Sequence, residues 1–195
     1  MSNYLAEKLS ITPEEYLEGE KSTTKKHEYY YGEIYAMAGA KDAHVLIMGN
    51  ALYALKTQLR GSECRIYTAD MRVKIEEGNA YFYPDVMVTC DTEDRKREIM
   101  KHSPILVIEI LSSATEAYDR GKKFAAYREL PSLREYVLID PRKFSIDVFR
   151  LNEHQRWELF SFFGEDAIIE FTSVGLYCPI TEIYEDVRQV SKGER

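Results

Sequence analysis

Two apolar runs in this chain each carry a single carboxylate. Asp85 lies in Tyr83-Pro84-Asp85-Val86-Met87-Val88, and Glu109 lies in Ile105-Leu106-Val107-Ile108-Glu109-Ile110-Leu111-Ser112. An acid inside such a run is costly to bury unless it is paired, hydrogen-bonded or bound to a cation. Val107, Ile108, Ile110 and Leu111 flank Glu109, so both faces of its strand read as buried. Asp119, Lys123 and Tyr127 follow at four-residue spacing, which sets them on one side of a helix. The chemistry these types suggest is that of a divalent metal held by Asp85 and Glu109 on adjacent strands, with Lys123 close by.

The elements that must position these groups can be read from hydrophobic period and turn chemistry. Thr12-Pro13-Glu14-Glu15 has a capping-box start, giving a short helix to about Gly19. Glu28 to Met37 is rich in β-formers, with Gly32 suited to a turn and Glu33 beside it. Apolar residues from Asp42 to Leu59 recur at helical spacing, and His44 falls in the first turn. Residues 64–68 read as a strand, and residues 71–90 as one antiparallel hairpin turning at 76–79, with Pro84 marking a bend. Residues 91–103 read as a charged loop. Strand 105–111, a helix capped by Asp119 and stopped by Pro131, and strand 134–139 form a right-handed β-α-β candidate. Phe144–Phe149 and Trp157–Phe163 read as a further hairpin. Ala167–Phe171 reads as a last strand, and Thr181–Val190 as an amphipathic helix. The sum is an α/β (α+β) mixed sheet flanked by helices, one domain over 1–195 with its core at about 28–150.

Composition narrows the function. The net charge of −7 argues against a protein that coats nucleic acid non-specifically. No apolar run approaches the roughly 20 residues of a membrane span, and Met1–Glu20 lacks an apolar signal region, so the expected location is the cytoplasm. Cys64, Cys90 and Cys178 are widely spaced and odd in number, which predicts buried, reduced thiols.

The ordered set of local patterns resembles the Uma-type (Uma two) endonuclease family, a branch of the restriction-endonuclease-like PD-(D/E)XK superfamily. The resemblance is carried by Tyr31-Gly32-Glu33, Met37-Ala38-Gly39-Ala40, His44, Asn50, Asp70 and Val73. It continues through Tyr83-Pro84-Asp85-Val86, Val107 to Ser112, Thr115, Asp119, Lys123 and Tyr127, and Leu133-Arg134-Glu135-Tyr136 to Asp140-Pro141. It implies a restriction-endonuclease-like core, Mg2+ (with Mn2+ as substitute) and DNA as substrate. It maps the superfamily's two acids onto Asp85 and Glu109. The usual lysine position is Leu111 here, and Lys123 on the following helix matches it instead. Glu33 matches a further family acid and so a third metal ligand, while His44 and Asp70 match positions without an assigned role. DNA would be held through its phosphates, with Arg120, Lys122 and Arg128 as candidates. Cutting both strands implies a twofold homodimer, for which the Phe144–Phe163 hairpin is a candidate surface. The alternative is a catalytically silent nucleic-acid-binding or protein-interaction module on the same fold.

Overall fold

Thr12 and Glu15 satisfy each other's backbone at the first helix start. The Glu15 amide donates to Thr12 Oγ1 (3.2 Å) and the Thr12 amide to Glu15 Oε2 (2.8 Å). The resulting α1, Pro13–Ser22, runs about a turn past the expected Gly19. The computed structural model describes residues 10–37, 39–75 and 79–188. Tyr16 is the buried residue of α1, and its ring packs on Tyr29 and Tyr81 at 5.2 and 5.4 Å.

Strands β1 (His27–Tyr30) and β2 (Glu33–Ala36) form a hairpin closed by Tyr31 and Gly32. Both have positive φ (48° and 85°), the conformation of the tight turns that match strand twist. At Gly32 a Cβ would also strike the Ser10 side chain. Helix α2 spans Asp42–Gln58. Then come β3 (Arg65–Thr68), β4 (Arg72–Ile75), β5 (Ala80–Phe82), β6 (Val86–Thr89), helix α3 (Thr92–Lys96), β7 (Met100–Lys101) and β8 (Pro104–Ile110).

The single hairpin expected over 71–90 is split. β4 and β5 pair within a five-stranded sheet ordered β2-β1-β5-β4-β7. β6 belongs instead to a six-stranded sheet, where it lies between β3 and β8. Pro84 sits at the crossing, and its missing amide proton cannot continue a ladder. The turn residues 76–78 lie outside the described residues. The expected loop 91–103 contains α3 and β7, both organised by buried Asp94. That carboxylate accepts from the amides of His102 and Ser103 (2.8 Å each), Thr89 Oγ1 (2.9 Å) and Arg97 (2.8 Å).

A helical segment follows β8 as α4 (Glu116–Tyr118), a π-helical turn (Asp119–Lys123) and α5 (Phe124–Tyr127). It leads to β9 (Glu135–Ile139), parallel to β8, which completes the expected β-α-β unit. Asp119 lies inside this helix rather than capping it. The hairpin β10 (Ser145–Leu151) and β11 (Trp157–Phe163) extends the large sheet to the order β11-β10-β9-β8-β6-β3. β12 (Ile168–Phe171) pairs with an unanticipated β13 (Leu176–Pro179), the two joined across Gly175 at φ 65°. The C-terminal helix is one turn, α6 (Ile180–Ile183), shorter than the expected 181–190. Asn50 Nδ2 donates to the carbonyls of Ile183 and Glu185, satisfying its end, and Asp186 turns left-handed. Residues 189 and 190 lie outside the described residues.

Alternation along β8 divides the core. Leu106, Ile108 and Ile110 face α2, β12, β13 and α6, whereas Val107 and Leu111 face α5 and the small sheet. Glu109 shares the second face.

Cys64 and Cys90 correct the expected set of reduced thiols: they form a disulfide, and among the described residues buried Cys178 is the free cysteine. The cause is register. β3 pairs antiparallel with β6 with Arg65 opposite Thr89, so the flanking cysteines meet although 26 residues separate them. Closing a loop of that length is worth about 3–4 kcal/mol. Urea denaturation with and without reductant is expected to show a loss of that size, and the same loss in Cys90→Ser.

Candidate functional site

β6 and β8 run antiparallel with Val86 opposite Ile108, and one further step sets Asp85 opposite Glu109. The pairing is sealed by Asp85 itself, whose Oδ2 accepts the Ile110 amide at 2.7 Å. Its other oxygen, Oδ1, lies 2.9 Å from His44 Nε2 in the first turn of α2. His44 is thus a partner of a site carboxylate. Asp85 is the first residue after the Pro84 crossing, so it stands at the seam between the two sheets.

Glu109 is buried, and two groups converge on its Oε1: Lys123 Nζ at 2.9 Å and the Tyr127 hydroxyl at 3.1 Å. An α-helix overshoots a full turn by about 40° every four residues, so Asp119, Lys123 and Tyr127 would fan apart by about 80° in a regular helix. The π turn, one residue wider than an α turn, takes up that drift. All three side chains then face β8 together, with Asp119 Oδ1 3.9 Å from Lys123 Nζ.

Lys123 has a second close partner that the sequence reading missed. Glu28 Oε1 lies 2.8 Å from Nζ and also accepts the Tyr83 amide at 3.1 Å. Glu28 is buried on β1. The signal in the sequence was weaker than at Glu109: Glu28 heads the aromatic run Tyr29-Tyr30-Tyr31, with Glu33 as a second acid at its far end. Glu33, expected as the further acid, holds the Tyr35 hydroxyl and lies 3.6 Å from Lys122. Asp70 has an 89 % exposed side chain and pairs with Lys26, outside this cluster.

Three carboxyl groups, Glu28, Glu109 and Asp119, therefore surround one ammonium, and a fourth, Asp85, acts on Glu109. Burial works against the charge of Lys123, but Glu109, Glu28 and Asp119 together hold its pKa well above that of a free lysine. One ammonium does not offset all four acids. Burial raises Glu109 well above the ordinary carboxylate range, and Asp85, Asp119 and Glu28 add to the rise against Lys123. Burial likewise raises Asp119. A carboxyl whose folded pKa is raised stabilises the fold below its unfolded value, and that contribution is lost as pH rises through the folded value. Metal-free stability is thus expected to fall as pH climbs above about 4.5, the ordinary Glu range. Glu109→Gln, in which Lys123 keeps Glu28, is expected to flatten that slope in urea melts across pH 4–8.

Among the described residues, no three His, Cys, Asp or Glu side chains are grouped so as to hold a metal ion. Mg2+ at phosphoryl sites takes one or two carboxylates and completes its octahedron with water and substrate oxygens. The hard-oxygen pair Asp85 and Glu109, in surplus negative charge, fits that donor chemistry.

The candidate phosphate-binding residues lie on the same helical segment. Arg120 is held by Glu116 (3.1 Å) and Asp147 (2.8 Å). Lys122 lies over the Tyr30 ring at 5.9 Å, and Arg128 over Phe124 at 5.1 Å.

Residues 13–181 match the family model Uma2, described as "Putative restriction endonuclease". Uncharacterized protein slr1290 of Synechocystis sp. is 38 % identical over 174 residues, 89 % of this chain and 91 % of that protein. Uncharacterized protein sll1609 of the same organism is 34 % identical over 166 residues, 83 % and 93 % of the two chains. In shape the chain is similar to the crystal structure of "a putative nuclease belonging to DUF820" from Anabaena variabilis, with a TM-score of 0.74. That likeness covers 89 % of this chain and 97 % of the other, at 20 % identity. The opposed acids, the β-α-β unit that brings Lys123 to them and the match over most of the length lead to one conclusion: this chain belongs to the Uma2 family, within the restriction-endonuclease-like superfamily.

Proposed function

We propose that this chain is a Mg2+-dependent endonuclease that hydrolyses DNA phosphodiester bonds. The observation that carries the reading is the opposition of Asp85 and Glu109 across β6 and β8, in a buried cluster with more acid than its lysine can offset. Asp85 and Glu109 would hold the metal. When bound, Mg2+ supplies Lewis acidity toward a phosphate oxygen and makes a water more acidic.

The chain's own groups do the rest. The Ile110 amide and His44 fix Asp85 from two sides, and Tyr127 with Lys123 fixes Glu109. Prefixed ligands of this kind lose little entropy when a substrate arrives. Lys123 places positive charge beside Glu109, where negative charge grows on the phosphate in the transition state. Lys122 and Arg128 hold the DNA backbone, with salt-dependent affinity. Cutting a duplex takes two sites, supplied by a twofold dimer. Its contact is the β10–β11 hairpin, whose outer strand exposes Leu159 and Phe163.

Nicking of supercoiled plasmid with Mg2+, with Mn2+ and with chelator tests the reading. Conversion only with metal, alongside Mn2+ binding by calorimetry, is expected. Plasmid left intact under every metal by a protein that binds none would refute it.

A further inference from the structure

The hydroxyl of Tyr118 is buried, and among the described residues no hydrogen-bond partner reaches it. A hydroxyl in that state forfeits about 1–3 kcal/mol of hydrogen bonding, so such groups call for an explanation. Tyr118 is the last residue of α4, directly before the π turn that carries Asp119 and Lys123. Its ring is fixed between Tyr35 (4.9 Å between centroids) and Phe82 (6.4 Å, edge-on). Phe82 in turn lies 5.5 Å beneath Lys123 Nζ. Glu28 and Lys123 are the charges that act most strongly on the Tyr118 phenol, and burial keeps it protonated. The hydroxyl is thus a neutral donor on a half-buried residue, within the field of the cluster's charges. The Lys123 ammonium is already shared by Glu28 and Glu109.

An anionic phosphate entering among four carboxyls needs donors besides that one ammonium. We propose that the Tyr118 hydroxyl is a substrate contact, donating a hydrogen bond to a non-bridging phosphate oxygen of the nucleic acid bound at Asp85 and Glu109. The inference rests on the nuclease reading above and adds a residue to it. It also accounts for the orphaned hydroxyl, which finds its acceptor only when the site is filled.

The test uses Tyr118→Phe, which keeps the ring packed on Tyr35 and Phe82 and removes one oxygen. Thymidine 3′,5′-bisphosphate is titrated calorimetrically into wild type and variant in excess Ca2+. The variant is expected to bind about tenfold more weakly, the scale of a hydrogen bond to a charged group. Its Ca2+ affinity is expected to match wild type, and its thermal midpoint without ligand to equal or exceed it, because no bond within the protein is lost and an unpaired buried hydroxyl is removed. A merely structural role would instead lower the midpoint. Equal nucleotide affinity in the two proteins, or no nucleotide binding by wild type, overturns the proposal. Failure of the nuclease reading appears separately, as intact plasmid from a wild type that still binds the bisphosphate through Tyr118.

Discussion

Lys123→Met is expected to destabilise the metal-free protein by about 3–5 kcal/mol at neutral pH, the cost of leaving buried charge without its partner. The size follows from how many groups the ammonium serves. Glu28 and Glu109 are within 2.9 Å of it, and Asp119 within 3.9 Å. Methionine fills the space and offers none of them a counter-charge. The loss is expected to shrink toward pH 5, because Glu109 and Asp119 already hold their protons above the ordinary range and take them up more readily still without the lysine. Urea melts at pH 5 and pH 7.5 measure both effects. Added Mn2+ is expected to restore part of the stability by binding the folded state alone. A variant as stable as wild type at pH 7.5 would mean that the cluster is charged differently from what the contacts imply.

Asp85→Asn and Glu109→Gln are each expected to lower plasmid cleavage by about a thousandfold or more, since each removes an anionic donor at the point where charge develops. Both should stay folded. In Asp85→Asn the side-chain carbonyl can still accept the Ile110 amide, and in Glu109→Gln the lysine keeps Glu28. The variants are distinguished from damaged protein by an unchanged circular dichroism spectrum and by loss of the heat of Mn2+ binding. Wild-type cleavage by either one would remove both carboxylates from the proposed mechanism.

The acids at the centre were legible because charge in an apolar strand is rare and costly, and because period two and the β6–β8 pairing force the facing. Lys123 and Tyr127 were legible from helical spacing, although the π turn that aligns them leaves no trace in residue type. Glu28 escaped because Glu28 and Glu33 both lie in one tyrosine-rich hairpin, and only the observed β1–β5 pairing turns Glu28 toward Lys123. The Cys64–Cys90 bond depends on the register of two strands distant in sequence, which no local pattern encodes. Asp94 reads as one more charge in a polar stretch. Its burial is created by amides nine and fewer residues later, and with it come α3 and β7.

The wide turn at Asp119–Lys123 also limits how this chain can vary. Surface segments usually tolerate gaining or losing a residue, and Gly121 is exposed with open space around it. The wide turn already absorbs one extra residue, so adding another there would rotate everything downstream by about 100°. Tyr127 would swing off Glu109, and Ala126 and Leu130 would leave the core they now fill. The count of residues along this stretch is therefore under tighter constraint than the identity of most of them, much as the number of teeth on a gear matters more than its alloy.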